Sequence, residues 1–124
     1  MIEGIVTVLD NMTVQDLIVN SSSTFLGEVV FKDHISFGRD TAGEVVIKQG
    51  KDIVNVVFDK PYDFIPIVNA SMVIDSQALE TEILSANYDF AVVRRSEEGF
   101  TIRLNKLAED DIKFSWSAFE GNSN

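Results

Sequence analysis

Cysteine is missing from all 124 residues. Its absence excludes disulfide cross-links and thiolate metal sites, though it leaves the compartment open. Proline occurs only at Pro61 and Pro66, and histidine only at His34. Basic residues are scarce: 10 Lys and Arg stand against 20 Asp and Glu, for a formal charge of −10. With no basic face to release counterions from a phosphate backbone, nucleic acid is excluded as a partner. No run approaches the roughly 18 uninterrupted apolar residues of a spanning helix, so membrane insertion is not expected. Residues Met1 to Asp10 also lack the basic start and long apolar run of a signal peptide.

What the chain does have is a short repeat. The pairs Leu17/Val19, Ser23/Phe25, Val29/Phe31 and Ile35/Phe37 recur every six residues. Residues two apart share one face of a strand, so each unit reads as β. The links Leu26-Gly27-Glu28, Lys32-Asp33-His34 and Gly38-Arg39-Asp40 are too short for a crossover helix. Successive strands must therefore turn and climb a common axis. An open face bearing Phe25, Phe31 and Phe37 would form a larger apolar patch than monomers tolerate, so association between chains is expected. The expected trimer core of this stalk is Leu17, Val19, Phe25, Val29, Phe31, Ile35 and Phe37. A single-chain β-solenoid is the competing arrangement of the same repeat. The stalk is assigned residues 1–50, ending in a turn at Asp40-Thr41-Ala42-Gly43 and a strand Glu44 to Lys48. Gly4 to Leu9 reads as one more strand without a cap, and Glu120 to Asn124 as a polar tail; a fragment of a longer fibre is the expectation.

From Lys51 the strands lengthen. Val54, Val56 and Phe58 share a face, as do Val68, Ala70, Met72 and Ile74, then Phe90 and Val92, then Phe100, Ile102 and Leu104, then Ile112, Phe114, Trp116 and Ala118. Their neighbours, such as Thr101, Arg103, Lys113, Ser115 and Ser117, are polar. One dry face and one wet face describe antiparallel sheets packed as a sandwich, assigned to residues 51–124. Ser96-Glu97-Glu98-Gly99 is expected to be a hairpin loop in which Gly takes a positive φ. Pro61 and Pro66 bracket an irregular crossing, with a strand starting after Pro66. Gln77 to Leu84 is either a helical turn or a loop.

Val56-Val57-Phe58, Pro61-Tyr62, Phe64-Ile65-Pro66, Tyr88 to Val93, Glu98 to Ile102 and Phe114-Ser115-Trp116-Ser117-Ala118 together resemble the C-terminal ends of phage tail-fibre and bacterial surface proteins, and the H-type lectin family. The first part resembles the repeats of trimeric fibre stalks. The resemblance implies an all-β chain: a short triple-chain β-helix or prism-like stalk, followed by a six-stranded antiparallel β-sandwich that trimerises about a fibre axis. It implies a non-enzymatic, extracellular, cell-surface or virion role as the structural tip of a fibre. The alternative is an adhesin tip that binds a cell-surface glycan or receptor.

No residue cluster carries catalysis or a cofactor. His34 has only the adjacent Asp33 for a partner and reads as a solvated turn residue. Ser21-Ser22-Ser23 lacks the strand-turn-helix elbow and base that a nucleophile requires. Glu97-Glu98 and Glu109-Asp110-Asp111 lack the spacing of a calcium loop. Trp116 falls in phase with the core, its N–H needing a partner. Tyr62 and Phe64, in the irregular crossing, are the candidates for surface or ligand contact. Arg95 and Arg103 fall on the outer face of neighbouring strands, where they can pair with acids of another subunit.

Overall fold

The computed structural model describes residues 5–121. They divide into two units, one ending at Ile35 and one beginning at Ser36.

Residues 5–35 carry no regular secondary structure between bends. The bends include Leu9, Gln15, Ser21, Gly27 and Asp33, one every six residues, so the backbone carries the same period as the side chains. Among the described residues of this unit, no strand or helix forms and no backbone hydrogen bond joins one part to another. The stack of strands expected from the repeat is thus not formed within a single chain. The physical reason is that a strand is a paired state, and among the described residues of this unit no backbone hydrogen bond supplies that pairing.

In the second unit the two-residue alternation does become strand. The six strands are β1 (Ala42–Ile47), β2 (Ile53–Val57), β3 (Ile67–Val73), β4 (Phe90–Val93), β5 (Gly99–Leu104) and β6 (Ile112–Phe119). They form two antiparallel sheets, ordered β1-β6-β3 and β2-β5-β4. The fold is all-β apart from a 3₁₀ turn, Gln77–Leu79, that runs into one short helix, α1 (Glu80–Ser85). Of the helices described, none is long and apolar enough to cross a membrane.

The sixth strand is not where the sequence pattern puts it. The segment around Glu44 to Lys48, grouped above with the stalk, pairs with β6 from Ala42↔Ser117 to Ile47↔Ile112. The sandwich therefore begins before residue 50, and Ala42 and Gly43 are strand rather than turn. Gly43 lies against the Trp116 ring directly opposite: a Cβ there would stand 3.0 Å from it, a contact that the ring must yield to accommodate.

Successive strands run in opposite directions, which gives the sandwich two ends. At the proximal end lie Ser36–Thr41 leading into β1, the 58–66 crossing, the 94–98 hairpin and the residues after Phe119. The loops 48–52, 74–89 and 105–111 gather at the distal end, where Gly50 N–H donates to Ala108 O and Ala108 N–H to Lys51 O. Between the sheets, Ile47, Ile102, Leu104, Ile112 and Phe114 are sealed from solvent. Rings interlock across the gap, with Phe90 edge-on to Phe114 at 4.9 Å and Phe100 edge-on to Trp116 at 5.3 Å. The Trp116 N–H is buried against Gly43 and has no hydrogen-bond partner among the described residues.

The β4–β5 hairpin forms where expected, by different chemistry. The positive φ belongs to Arg94 at 55°, not to Gly99. Gly99 is required instead by close approach, because a Cβ there would sit 2.1 Å from the Val56 carbonyl oxygen.

Candidate functional site

The crossing 58–66 joins β2 to β3 at the proximal end and carries Tyr62 and Phe64. Two prolines limit its backbone, and hydrogen bonds to four other segments fix it. The Asp40 carboxylate accepts the N–H of Asp59 at 2.7 Å and of Lys60 at 3.0 Å. The Tyr62 hydroxyl donates to the Asp40 carbonyl and lies 3.2 Å from the Ala118 carbonyl. The Tyr62 N–H donates to Glu97 O, and the Asp63 N–H to Glu120 Oε1. Arg95 Nη1 donates to Pro66 O at 2.8 Å, closing the crossing where β3 begins. Beneath, the Tyr62 ring stands edge-on to Phe58 at 4.9 Å.

These bonds frame a cleft of about 430 Å³ lined by Asp40, Thr41, Lys60, Tyr62, Phe119 and Glu120, with Pro61 and Asp63. Its polar groups hold the loop: both Asp40 oxygens receive backbone N–H groups, and the Tyr62 hydroxyl faces carbonyls. No nucleophile–base pair is assembled there. The loop exposes Phe64, at 54%, and Ile65 together with the charged Asp59, Lys60 and Asp63. Tyr62 and Phe64 thus have different fates, the first a packed anchor and the second an exposed ring on a fixed loop.

A second hollow, of about 290 Å³, lies at the distal end beside the 3₁₀ turn and α1, with Val46, Val73, Leu79 and Ile83 for an apolar lining. Its charges neutralise one another. Lys113 Nζ lies 2.5 Å from Asp75 and 3.3 Å from Glu44, and these two partners, Asp75 foremost, raise its pKa. Asp111 accepts the Gln49 N–H at 2.8 Å, and this bond, with help from Lys48, outweighs desolvation and lowers its pKa. Asp111 therefore ties β6 to the 48–52 loop. Among the described residues, no three His, Cys, Asp or Glu side chains are placed to share a metal ion.

In the first unit, Leu17, Val19, Phe25, Val29, Phe31 and Ile35 are all exposed, as is Phe37 just beyond it. His34 is also exposed; the Asp33 carboxylate accepts its backbone N–H at 2.7 Å and stands 3.8 Å from its Nε2. Ser21, Ser22 and Ser23 are solvated. Comparison with protein-family models, with curated proteins and with solved structures found no match to this chain.

Asp40 is the residue that sequence reading misses. It reads as an ordinary turn aspartate, and its partners lie about twenty residues on, across a crossing with no regular period. The only local sign is its position immediately before a strand, which many turn residues share.

Proposed function

We propose that this chain is a non-enzymatic, trimerising fibre tip. Its first part would be a stalk wound from three chains, and its second part a β-sandwich that sets their register. The observation that carries this reading is the state of residues 5–35: bent every six residues, apolar at the surface, and without backbone pairing of their own among the described residues. Phe25, Phe31 and Phe37 expose 68%, 64% and 64% of their surface, and Leu26 nearly all of it. A row of such rings exceeds what a monomer keeps in water. Unpaired N–H and C=O groups in such segments invite strands from other chains, and three copies satisfy both demands together.

The period extends the same way upstream. Counting back by six from Phe25 gives Val19, Thr13 and Thr7, and from Val29 gives Ser23, Leu17, Asn11 and Ile5. These β-forming and small polar residues suit the inner rows of a narrow fibre. A repeat of this kind has no intrinsic register, since a slip of six residues superposes like on like. The sandwich, with its unique core, supplies the register.

Sedimentation equilibrium of the chain at micromolar concentration tests the reading. A mass of three chains is expected; a monomer mass across the accessible concentration range would refute it. A second reading, a glycan- or receptor-binding adhesin tip on an extracellular or virion fibre, is favoured by one observation, the exposed Phe64 and Ile65 on a loop fixed from every side. A glycan array read with and without competing free sugar separates the two, because a purely structural tip gives no saturable, competed signal.

A further inference from the structure

Each sheet has two edges, and the four edges are not alike. The Ala118 N–H donates to Thr41 O, so in β6 the even-numbered residues turn their backbone groups to β1 and the odd-numbered ones to β3. Across from the odd-numbered residues stand Ile67, Asn69, Ser71 and Val73. The N–H and C=O of Val68, Ala70 and Met72 therefore point off the sheet, and no backbone group among the described residues meets them. At the head of this free side, Pro66 O is taken by Arg95 Nη1.

The other three edges are blunted in the ways by which sheets avoid unwanted pairing. β1 carries Glu44, and its Ala42 N–H is bonded to Gly38 O. β2 has five residues set between Asp52 and Asp59, and β4 has four and ends at Arg94 with its positive φ. β3 has seven, and residues 64–74 hold no charge. Its side of the sandwich is also the less closed. Val56 and Phe58 of β2 are buried, whereas Val68, Ala70 and Met72 face the core and stay partly exposed.

We infer that the free edge of β3 pairs antiparallel with the same edge of a second copy, so that two three-stranded sheets become one continuous sheet. The edge is complementary to itself. About a twofold at Ala70, Val68 of one copy lies opposite Met72 of the other, and all the outward N–H and C=O groups find partners. On the outer face Asn69 then lies beside Ser71 of the other copy, neutral polar against neutral polar. A hollow of about 290 Å³ beside Met72, lined also by Ile83, Leu84 and Tyr88, receives the other copy's Val68. Arg95, held at Pro66 O, comes against the other copy's loop 74–89, which holds Glu80, Glu82 and Asp89 and no base. A chain of charge −10 is repelled by its copy over most of its surface. Along this strand it meets no like charge, and at each end an Arg faces acids. The contact is twofold, so it joins two separate tips and does not depend on the trimeric reading above.

Because the chain has no cysteine, single Cys variants of the full chain read the register. Residues opposite each other in a non-hydrogen-bonded antiparallel pair stand about 4.5 Å apart at Cα, within disulfide reach, whereas diagonal neighbours are about 7–8 Å apart. Asn69→Cys and Ser71→Cys both fall on the exposed outer face, and Trp116 fluorescence checks that each sandwich is folded. Mixed and oxidised with copper–phenanthroline, the two variants should give a cross-linked pair of chains, and neither should do so alone. A mixture that stays uncross-linked overturns the inference, as it would if the edge served a different protein, and so does equal cross-linking of each variant by itself. Sedimentation of the unaltered chain, carried above the micromolar range because so short a ladder binds weakly, should show pairing of whatever unit forms. A mass that stays at one or three chains overturns the contact. Six chains supports both readings, and two chains supports the contact while the trimeric reading falls.

Discussion

Replacing Phe31 by Ser separates assembly from folding. Burying a whole Phe side chain stabilises by roughly 1.5–3 kcal/mol. With 64% of Phe31 still exposed in the single chain, assembly can bury about 1–2 kcal/mol worth of surface per chain, or about 3–6 kcal/mol per trimer. At about 1.4 kcal/mol per factor of ten, the trimer's dissociation constant should rise about 10²- to 10⁴-fold. The core residue Phe114, with no exposed surface, is the contrast: Phe114→Ala should cost the sandwich roughly 3–5 kcal/mol of its own stability. Sedimentation equilibrium reads the first effect, and urea unfolding followed by Trp116 fluorescence reads the second. The unfolding must be done dilute enough that both proteins are monomers, since assembly itself raises apparent stability. The reasoning fails if Phe31→Ser assembles as tightly as the unaltered chain, or if it lowers the urea midpoint of the monomeric sandwich as far as Phe114→Ala does.

Gly99→Ala should weaken or abolish the sandwich, because its methyl would lie 2.1 Å from a carbonyl of the paired strand; loss of the Trp116 unfolding transition reads this, and an unchanged midpoint contradicts it. Tyr62→Phe removes the hydroxyl that faces the Asp40 and Ala118 carbonyls and should cost about 1–3 kcal/mol in urea unfolding. Phe64→Ala on the same loop, with nearly half of its surface covered, should cost about 1 kcal/mol. Asp111 has its folded pKa below the unfolded value, so its stabilising share is present above the ordinary carboxylate range and disappears as pH falls through the folded value. Urea midpoints of the unaltered chain and Asp111→Asn should therefore differ at neutral pH and converge as acid takes the pH below the lowered folded value of Asp111; a gap that persists once the carboxylate is protonated would show that the Gln49 contact does not depend on charge.

Much of the sandwich is legible in the sequence, because a strand buried on one side writes its face in every second residue. Val54 with Val56, Phe100 with Ile102 and Leu104, and Ile112 to Ala118 all point inward as the alternation says. β1 was legible as a strand but not as a member of the sandwich. Val45 and Ile47 alternate correctly, yet nothing local says that their partner lies in β6, some seventy residues away. Gly43 and Gly99 read as turn residues because Gly is frequent in turns; yet Gly99 is needed for lack of a side chain, a demand made by the Val56 carbonyl from a distant strand, and Gly43 sits close under Trp116. At the candidate site, Tyr62 and Phe64 look alike in sequence. Only the carbonyls of Asp40 and Ala118, brought to the Tyr62 hydroxyl by the fold, tell them apart.

The strand order also sets a timetable. Of the five links between strands, only β4 to β5 joins neighbours within a sheet; the other four change sheets. Long-range pairing is slow, because loop closure must come before contacts reward it. The β4–β5 hairpin is the one ladder that can close early. β1 must await β6, the last strand made, before it has anything to lie against. Pulse-labelled hydrogen exchange during refolding should accordingly protect residues 99–104 before 42–47, and simultaneous protection would contradict this order. Ordering of β1, although it comes first of the six strands in the chain, therefore reports that β6 has been placed and that the sandwich is complete.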